Sequence, residues 1–300
     1  MYHTPVFESE ILTYMAPIKG GKYIDCTLGD AGHASKLLEK GCFVLGIDCN
    51  EFSLSRAEER LKEERLDKNF IGVKGNFKDI LAIALENGFT DVDGIIYDLG
   101  FSSSQVESGE SGISFTNELD APLDMRLDKN LGVTAADLLN TLSEQQLAQM
   151  FYVFGGERMA KKFAVAIVRF RGSKKFNVIR DLVDLLVSEA PSGYEKGRIH
   201  PATRVFQALR IVVNDELANL ENSLPQAACL LKLPRGRMAV ISFHSLEDKV
   251  VKDFGRQYMR PASEIRLDSL TKKPLVPSDG EVRNNRRARS AKLRVFERVA

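Results

Sequence analysis

The chain has 300 residues, 44% hydrophobic and 28% charged, with a net charge of +1, a balance ordinary for a soluble globular protein. Near-neutral charge means that any attraction for an anionic partner must come from local patches. The N-terminus, Met-Tyr-His-Thr-Pro-Val, lacks the basic-then-apolar layout of a signal peptide, and no uncharged run approaches the roughly 18–20 apolar residues of a membrane helix. A cytoplasmic protein with no membrane partner is expected. The cysteines Cys26, Cys42, Cys49 and Cys229 form no Cys-x-x-Cys pair and read as reduced thiols.

Strand-like apolar runs fall at 22–26, 42–47, 70–74, 93–98 and 238–243, with helical patterns between them. That alternation predicts an α/β fold with a parallel sheet and right-handed crossovers. The first run closes on Asp25, bends through Gly29 and Gly32 and opens a helix, and the second ends on Asp48. In an open parallel sheet, such a unit puts bare backbone beside a ligand and a carboxylate within reach of a ribose. An adenosine-type cofactor is therefore expected. A glycine turn is also what any doubly wound fold needs where a strand bends into a helix, so the turn alone decides little. The spacing Asp25-x-x-x-Gly29-x-x-Gly32 departs from the Gly-x-Gly-x-x-Gly of nicotinamide folds, and a carboxylate at Asp48 excludes a 2′-phosphate. A nicotinamide-dependent oxidoreductase is the disfavoured alternative.

The fourth run leads into Asp98-Leu-Gly-Phe-Ser-Ser-Ser-Gln105, at a strand end where a doubly wound fold does its work. The other reading is a solvated loop with a helix-capping serine. The fifth run, Met-Ala-Val-Ile-Ser-Phe, arrives about 140 residues later, far more than the dozen or more residues a crossover requires. Between them apolar residues recur at helical spacing, as in Met159, Phe163, Ile167 and Phe170, until Pro191, Ser192, Gly193 and Gly197 break the pattern. A small all-helical insertion over 132–198 is expected, with the sheet domain formed by 1–131 and 199–300. A further helix opens at His200-Pro201 with Val205, Leu209, Val212 and Leu217 on one face, and 290–299 reads as a closing strand.

Ile241-Ser-Phe-His-Ser245 ends the fifth strand, and Ser245 with Asp248 makes a capping-box pattern. His244 is thus either a histidine at a helix start or a substrate contact. The histidines His3, His33, His200 and His244 show no metal-binding spacing, so no metal site is expected. Residues 158–175 carry Arg158, Lys161, Lys162, Arg169, Arg171, Lys174 and Lys175 and no acid. Residues 283–298 carry Arg283, Arg286, Arg287, Arg289, Lys292, Arg294 and Arg298 against Glu297. Such runs are often solvated helix faces, but two of them in a chain of net charge +1 segregate charge and suit a phosphate backbone.

These blocks resemble, nearly end to end, the bacterial small-subunit ribosomal RNA methyltransferase H family, once called MraW. The resemblance rests on His3-Thr-Pro-Val6, Thr27-Leu-Gly-Asp-Ala-Gly-His33, Asp98 to Gln105 and Pro122-Leu-Asp-Met-Arg126. It continues through His200 to Arg210, Ser242-Phe-His-Ser-Leu-Glu-Asp248 and Arg287 to Arg294. Asp30-Ala31 replaces the more usual glycine pair, Ser104 stands where proline is common, and Asn285-Arg286 replaces an Asn-Pro step. The resemblance implies a Rossmann-like S-adenosylmethionine-dependent methyltransferase sheet with an inserted all-helical, substrate-recognition domain. It implies methylation of the exocyclic N4 amine of one cytidine in the decoding region of 16S ribosomal RNA, within the small ribosomal subunit; a methyltransferase of another nucleic acid is the alternative. The family's cofactor contacts fall on Ala31, Gly32, His33, Asp48, Phe77, Asp98 and Gln105. No proton acceptor for the amine is assigned; the Asp98–Ser104 loop, Asp124 and His244 are the candidates.

Overall fold

In the computed structural model, which describes residues 5–100, 114–115, 119–260 and 264–300, the chain divides into two compact units. Residues 1–102 with 217–300 make the first, and residues 103–216 the second.

The first unit is built on a seven-stranded sheet: β1 Lys22–Asp25, β2 Phe43–Asp48, β3 Phe70–Lys74, β4 Gly94–Asp98, β5 Arg237–Ser242, β6 Leu267–Ser269 and β7 Lys292–Arg298. Their order is β3-β2-β1-β4-β5-β7-β6. The first five run parallel, and β7 lies antiparallel to both β5 and β6. The apolar runs of β1, β2, β4 and β5 are near-continuous because helices cover both faces. Period-two alternation divides their side chains between two cores. Ile95, Tyr97, Met238 and Val240 enter one, with Leu220, Leu224 and Phe254 of the helices Glu216–Leu230 and Ser245–Tyr258. Ile96, Ala239 and Ile241 enter the other, with Ile11 and Leu37 of α1 (Glu8–Met15) and α2 (Gly32–Glu39), and Ala57 and Leu61 of α3 (Glu51–Glu63). The strand order reverses between β1 and β4, and in such sheets ligands bind outside the carboxyl ends of the strands at that reversal.

The second unit holds the helices Ala135–Thr141, Glu144–Gly155, Ala160–Arg171, Ile179–Glu189 and Ala202–Asn214. Capping boxes at Thr134 and Ser143 start the first two, and Gly156 at φ 61° ends the second. Phe151, Phe163, Ile167, Leu182, Leu186 and Leu209 pack into its own core. The unit is wider than the expected 132–198. On one side Leu123 and Met125 join its core; on the other, helix Ala202–Asn214 buries Val205, Phe206, Leu209 and Val213 there. That helix closes at Asp215, φ 51°, so Leu217 lies on the next helix, in the sheet unit, rather than in line with Val205. Val212 is only partly buried and Val213 takes the inward place. Among the described residues, no helix is long and apolar enough to cross a membrane.

Candidate active site at the carboxyl edge of the sheet

Three carboxylates end three adjacent strands. Asp25 is in register with Gly46 of β2 and Ile96 of β4. Asp48 and Asp98, each two residues further along, therefore stand just beyond it on either side. Asp25 thus stands between Asp48 and Asp98, a place in the cluster that sequence reasoning missed. Its position at a strand end, facing the glycine turn, was the available signal.

Asp48 is buried, and its two oxygens accept the backbone N–H groups of Gly29 at 2.9 Å and Asn50 at 2.8 Å. Burial pushes its carboxyl up to about 6, while the amides of Asn50 and Gly29 oppose the shift. Burial pushes Asp25 up to about 6 as well, against the charge of His33. Thr27 ties the strand ends together: its Oγ1 accepts the amide of Asp98 at 2.6 Å.

His33, on the first turn of α2, is 5% exposed and its Nε2 lies 3.7 Å from Asp98 Oδ2. Among the described residues that nitrogen has no hydrogen-bond partner. Burial alone would lower the histidine pKa, but Asp98, Asp25 and Glu8 outweigh it and the net shift is upward. The turn before it carries Gly29 at φ 50° and Ala31 at φ 58°. Left-handed backbone is free for glycine and strained for alanine. Ala31 caps α2 without a side-chain acceptor, which leaves the leading amides of the helix uncapped by a side chain. Asp30, where a second glycine is usual, has found a structural use. Its carboxylate takes Arg56 Nε at 3.2 Å, and its carbonyl takes Arg60 Nη1 at 2.9 Å, anchoring the turn to α3.

Phe77 opens a 3-10 turn after β3, with its ring edge-on to Tyr97 at 5.7 Å. At Gly100 an added Cβ would sit 2.9 Å from the Phe243 ring, so only glycine lets the segment after β4 pass this close to the end of β5. Gln105 and Ser102–Ser104 lie outside the described residues.

Two further candidates have occupations of their own. The capping box falls one residue earlier than expected: His244 is the cap, its Nδ1 accepts the Glu247 amide at 3.4 Å, and Glu247 accepts the Phe243 amide at 2.6 Å. Asp248 instead binds Lys292 at 3.2 Å and Arg294 at 2.8 Å. Asp124, in the helical unit, is gripped by Arg126 at 2.7 Å and 3.0 Å and by Lys129 at 3.3 Å. Burial acts to raise its pKa, yet the hydrogen bonds from Arg126 prevail and hold it below the usual carboxylate range.

The edge of the sheet thus offers carboxylate acceptors, which suit ribose hydroxyls and a positive charge, beside a helix start whose amides no side chain caps, which suits a carboxylate; a ligand that carries an adenosine, a cation and a carboxylate fits that set. Residues 1–299 match the model of the MraW methylase family. Proteins from Geobacter sulfurreducens and Deinococcus deserti are each 44% identical to the chain, covering 99% and 100% of it and 99% and 94% of their own lengths. One from Carboxydothermus hydrogenoformans is 42% identical over 99% of the chain and 98% of its own length. All three carry the name ribosomal RNA small subunit methyltransferase H. The chain belongs to the MraW methylase family, and is a methyltransferase whose cofactor is S-adenosylmethionine.

Proposed function

We propose that the protein methylates the exocyclic N4 amine of one cytidine in the decoding region of 16S ribosomal RNA, in the cytoplasm and within the small ribosomal subunit. The name shared by its relatives supports a small-subunit RNA substrate, and the motif resemblance from His3 to Arg294 supports the cytidine amine. The observation that carries the reading is the row Asp48, Asp25, Asp98 at the carboxyl edge, with His33 at 3.7 Å from Asp98. In it Ala31, Gly32 and His33 offer backbone amides to the methionine end of the cofactor and Asp48 accepts from the ribose hydroxyls. Phe77 flanks the adenine, and Asp98 and Gln105 complete the contacts.

S-adenosylmethionine supplies a methyl group already activated on a sulfonium. What remains for the chain is alignment, which is positioning catalysis. A cytidine amine is a poor nucleophile because its lone pair is delocalised into the ring, and an acceptor for one of its hydrogens helps it. The segment that begins at Asp98 is the best-placed source of such an acceptor. Asp124 is saturated by Arg126 and Lys129 and competes poorly, whereas His244 spends Nδ1 on its helix but keeps Nε2, 2.7 Å from Glu247 Oε1, and stays the second candidate. The helical unit 103–216 takes the part of RNA recognition.

Methylation of ribosomal RNA mapped in cells with and without the gene tests the reading. A single small-subunit cytidine that loses an N4 methyl group without the gene is expected. An unchanged pattern, or loss at another nucleoside, would overturn it.

A further inference from the structure

Each of the two basic runs that look alike in sequence spends part of its charge locally and leaves three cations exposed without an ion pair among the described residues, in the first Arg158, Lys161 and Lys175. In the run 158–175, Lys162 and Arg169 both lie on Glu189, Lys174 lies on Asp181, and Arg171 donates to the carbonyls of Leu139 and Leu142. In the C-terminal run, Lys292 and Arg294 hold Asp248, and Arg298 turns to the carbonyls of Cys229 and Leu231. Arg283, Arg286 and Arg289 are exposed and make no ion pair among the described residues, and the same holds for Lys272 and Lys273.

Strand register places these cations. Asp98 is in register with Ile241 of β5, and Ile241 with Leu293 of β7. At roughly 4.8 Å per strand, Leu293 stands about 10 Å from the tip of β4. The 3-10 turn Arg286–Ser290 enters β7 just before it, at the level where Ser242 ends β5. Leu275 bridges to Leu293, which brings the segment after Lys272 and Lys273 to the same margin. The platform is fixed: Ser278 caps helix Asp279–Asn284, Asn285 caps the following turn, and Ala288 is fully buried. Glu281, one of two acids in that helix, is engaged with the amide of Phe7 at 2.7 Å. A rigid set of guanidinium groups, each able to grip a phosphate through two parallel bonds, thus flanks the edge where the reaction takes place.

We infer that Arg283, Arg286 and Arg289, with Lys272 and Lys273, form the surface that holds the phosphates flanking the target nucleotide of an RNA substrate. This rests on the proposed RNA substrate and adds which face of the sheet unit carries the backbone. Phosphate contacts fix register and orientation without reading sequence.

The test is filter binding of a small-subunit ribosomal RNA transcript across a salt series, with cofactor titration alongside. It compares the parent, the triple variant Arg283→Gln, Arg286→Gln, Arg289→Gln, and a control triple Lys62→Gln, Arg65→Gln, Lys68→Gln, which removes equal charge just before β3, at the amino end of the sheet. The C-terminal triple is expected to lose at least tenfold in RNA affinity and about two units of salt slope, as three lost phosphate contacts to single-stranded RNA require. Its cofactor affinity should stay within twofold, and the control should lose less than half a unit of slope. Parental binding by the C-terminal triple, or an equal loss in the control, overturns the inference. So does RNA binding by the parent that ignores salt. Methyl transfer by the parent to that same RNA is scored separately, so failure of the cytidine assignment shows there and not in the binding slopes.

Discussion

Lowering the pH from 7.5 to 5.0 should weaken S-adenosylmethionine binding by about tenfold through Asp48 alone. A ribose hydroxyl donates its hydrogen, so it needs the ionised carboxylate. The free protein holds Asp48 up to about 6 by burial, against the amides of Asn50 and Gly29. Protons therefore compete with the cofactor below about pH 6, and one group with that value gives about elevenfold weaker binding at pH 5, worth about 1.4 kcal/mol. The sign for folding is the reverse. A carboxyl raised from 3.8 to about 6 binds its proton more tightly when folded. Its contribution to stability is present below about pH 4 and lost as the pH rises through about 6. Titration calorimetry from pH 5 to pH 8, on the parent and Asp48→Asn, measures the first effect. Asp25, also raised to about 6, adds to the slope in both proteins. The parent should therefore be steeper than the variant by about one proton, with the variant weaker at pH 7.5. Parallel slopes would refute the reasoning, because Asp48 would then not be the group that trades a proton for the cofactor.

Ala31→Gly should change stability by less than about 1 kcal/mol in urea unfolding, because relief of left-handed strain at φ 58° offsets both the lost burial of the Ala31 methyl and the added entropy of the unfolded chain; a loss above about 2 kcal/mol would mean that the turn is not strained. The His33 imidazole, followed by NMR, should titrate above 6.5 in the parent and lower in Asp98→Asn, since the carboxylate 3.7 Å away helps hold the proton. An unchanged value would remove Asp98 as its partner. Charge reversal at Lys161 and Lys175, both exposed and without an ion pair among the described residues, should lower RNA affinity and leave cofactor binding alone. The same change at Arg169, already held by Glu189, should act less on RNA. Equal effects would mean that the pairing does not matter.

The strands at the centre of the sheet were legible because burial on both faces writes them as unbroken apolar runs, and five of the seven stand within two residues of where those runs lie. The closing strand was legible as well, whereas β6 was not: only three residues long, it buries Leu267 alone and carries no pattern. The limits of the helical unit escaped because they depend on which core receives Phe206 and Met125, a tertiary choice that periodicity does not encode. At the edge of the sheet, Asp48 and Asp98 were readable as acids at strand ends. What no spacing reveals is a partner far along the chain. Arg56 on Asp30 and Glu189 on both Lys162 and Arg169 turn apparent surface charge into local structure. The shift of the helix cap from Ser245 to His244 has the same origin, since Lys292 and Arg294 take Asp248 away from the helix start.

Transfer of a labelled methyl group from S-adenosylmethionine to small-subunit ribosomal RNA by the purified protein, followed by digestion to nucleosides, tests the account most directly. Label in N4-methylcytidine is predicted, strongly reduced in Asp48→Asn at a cofactor concentration that saturates the parent. Label in a different nucleoside, or none, would contradict it.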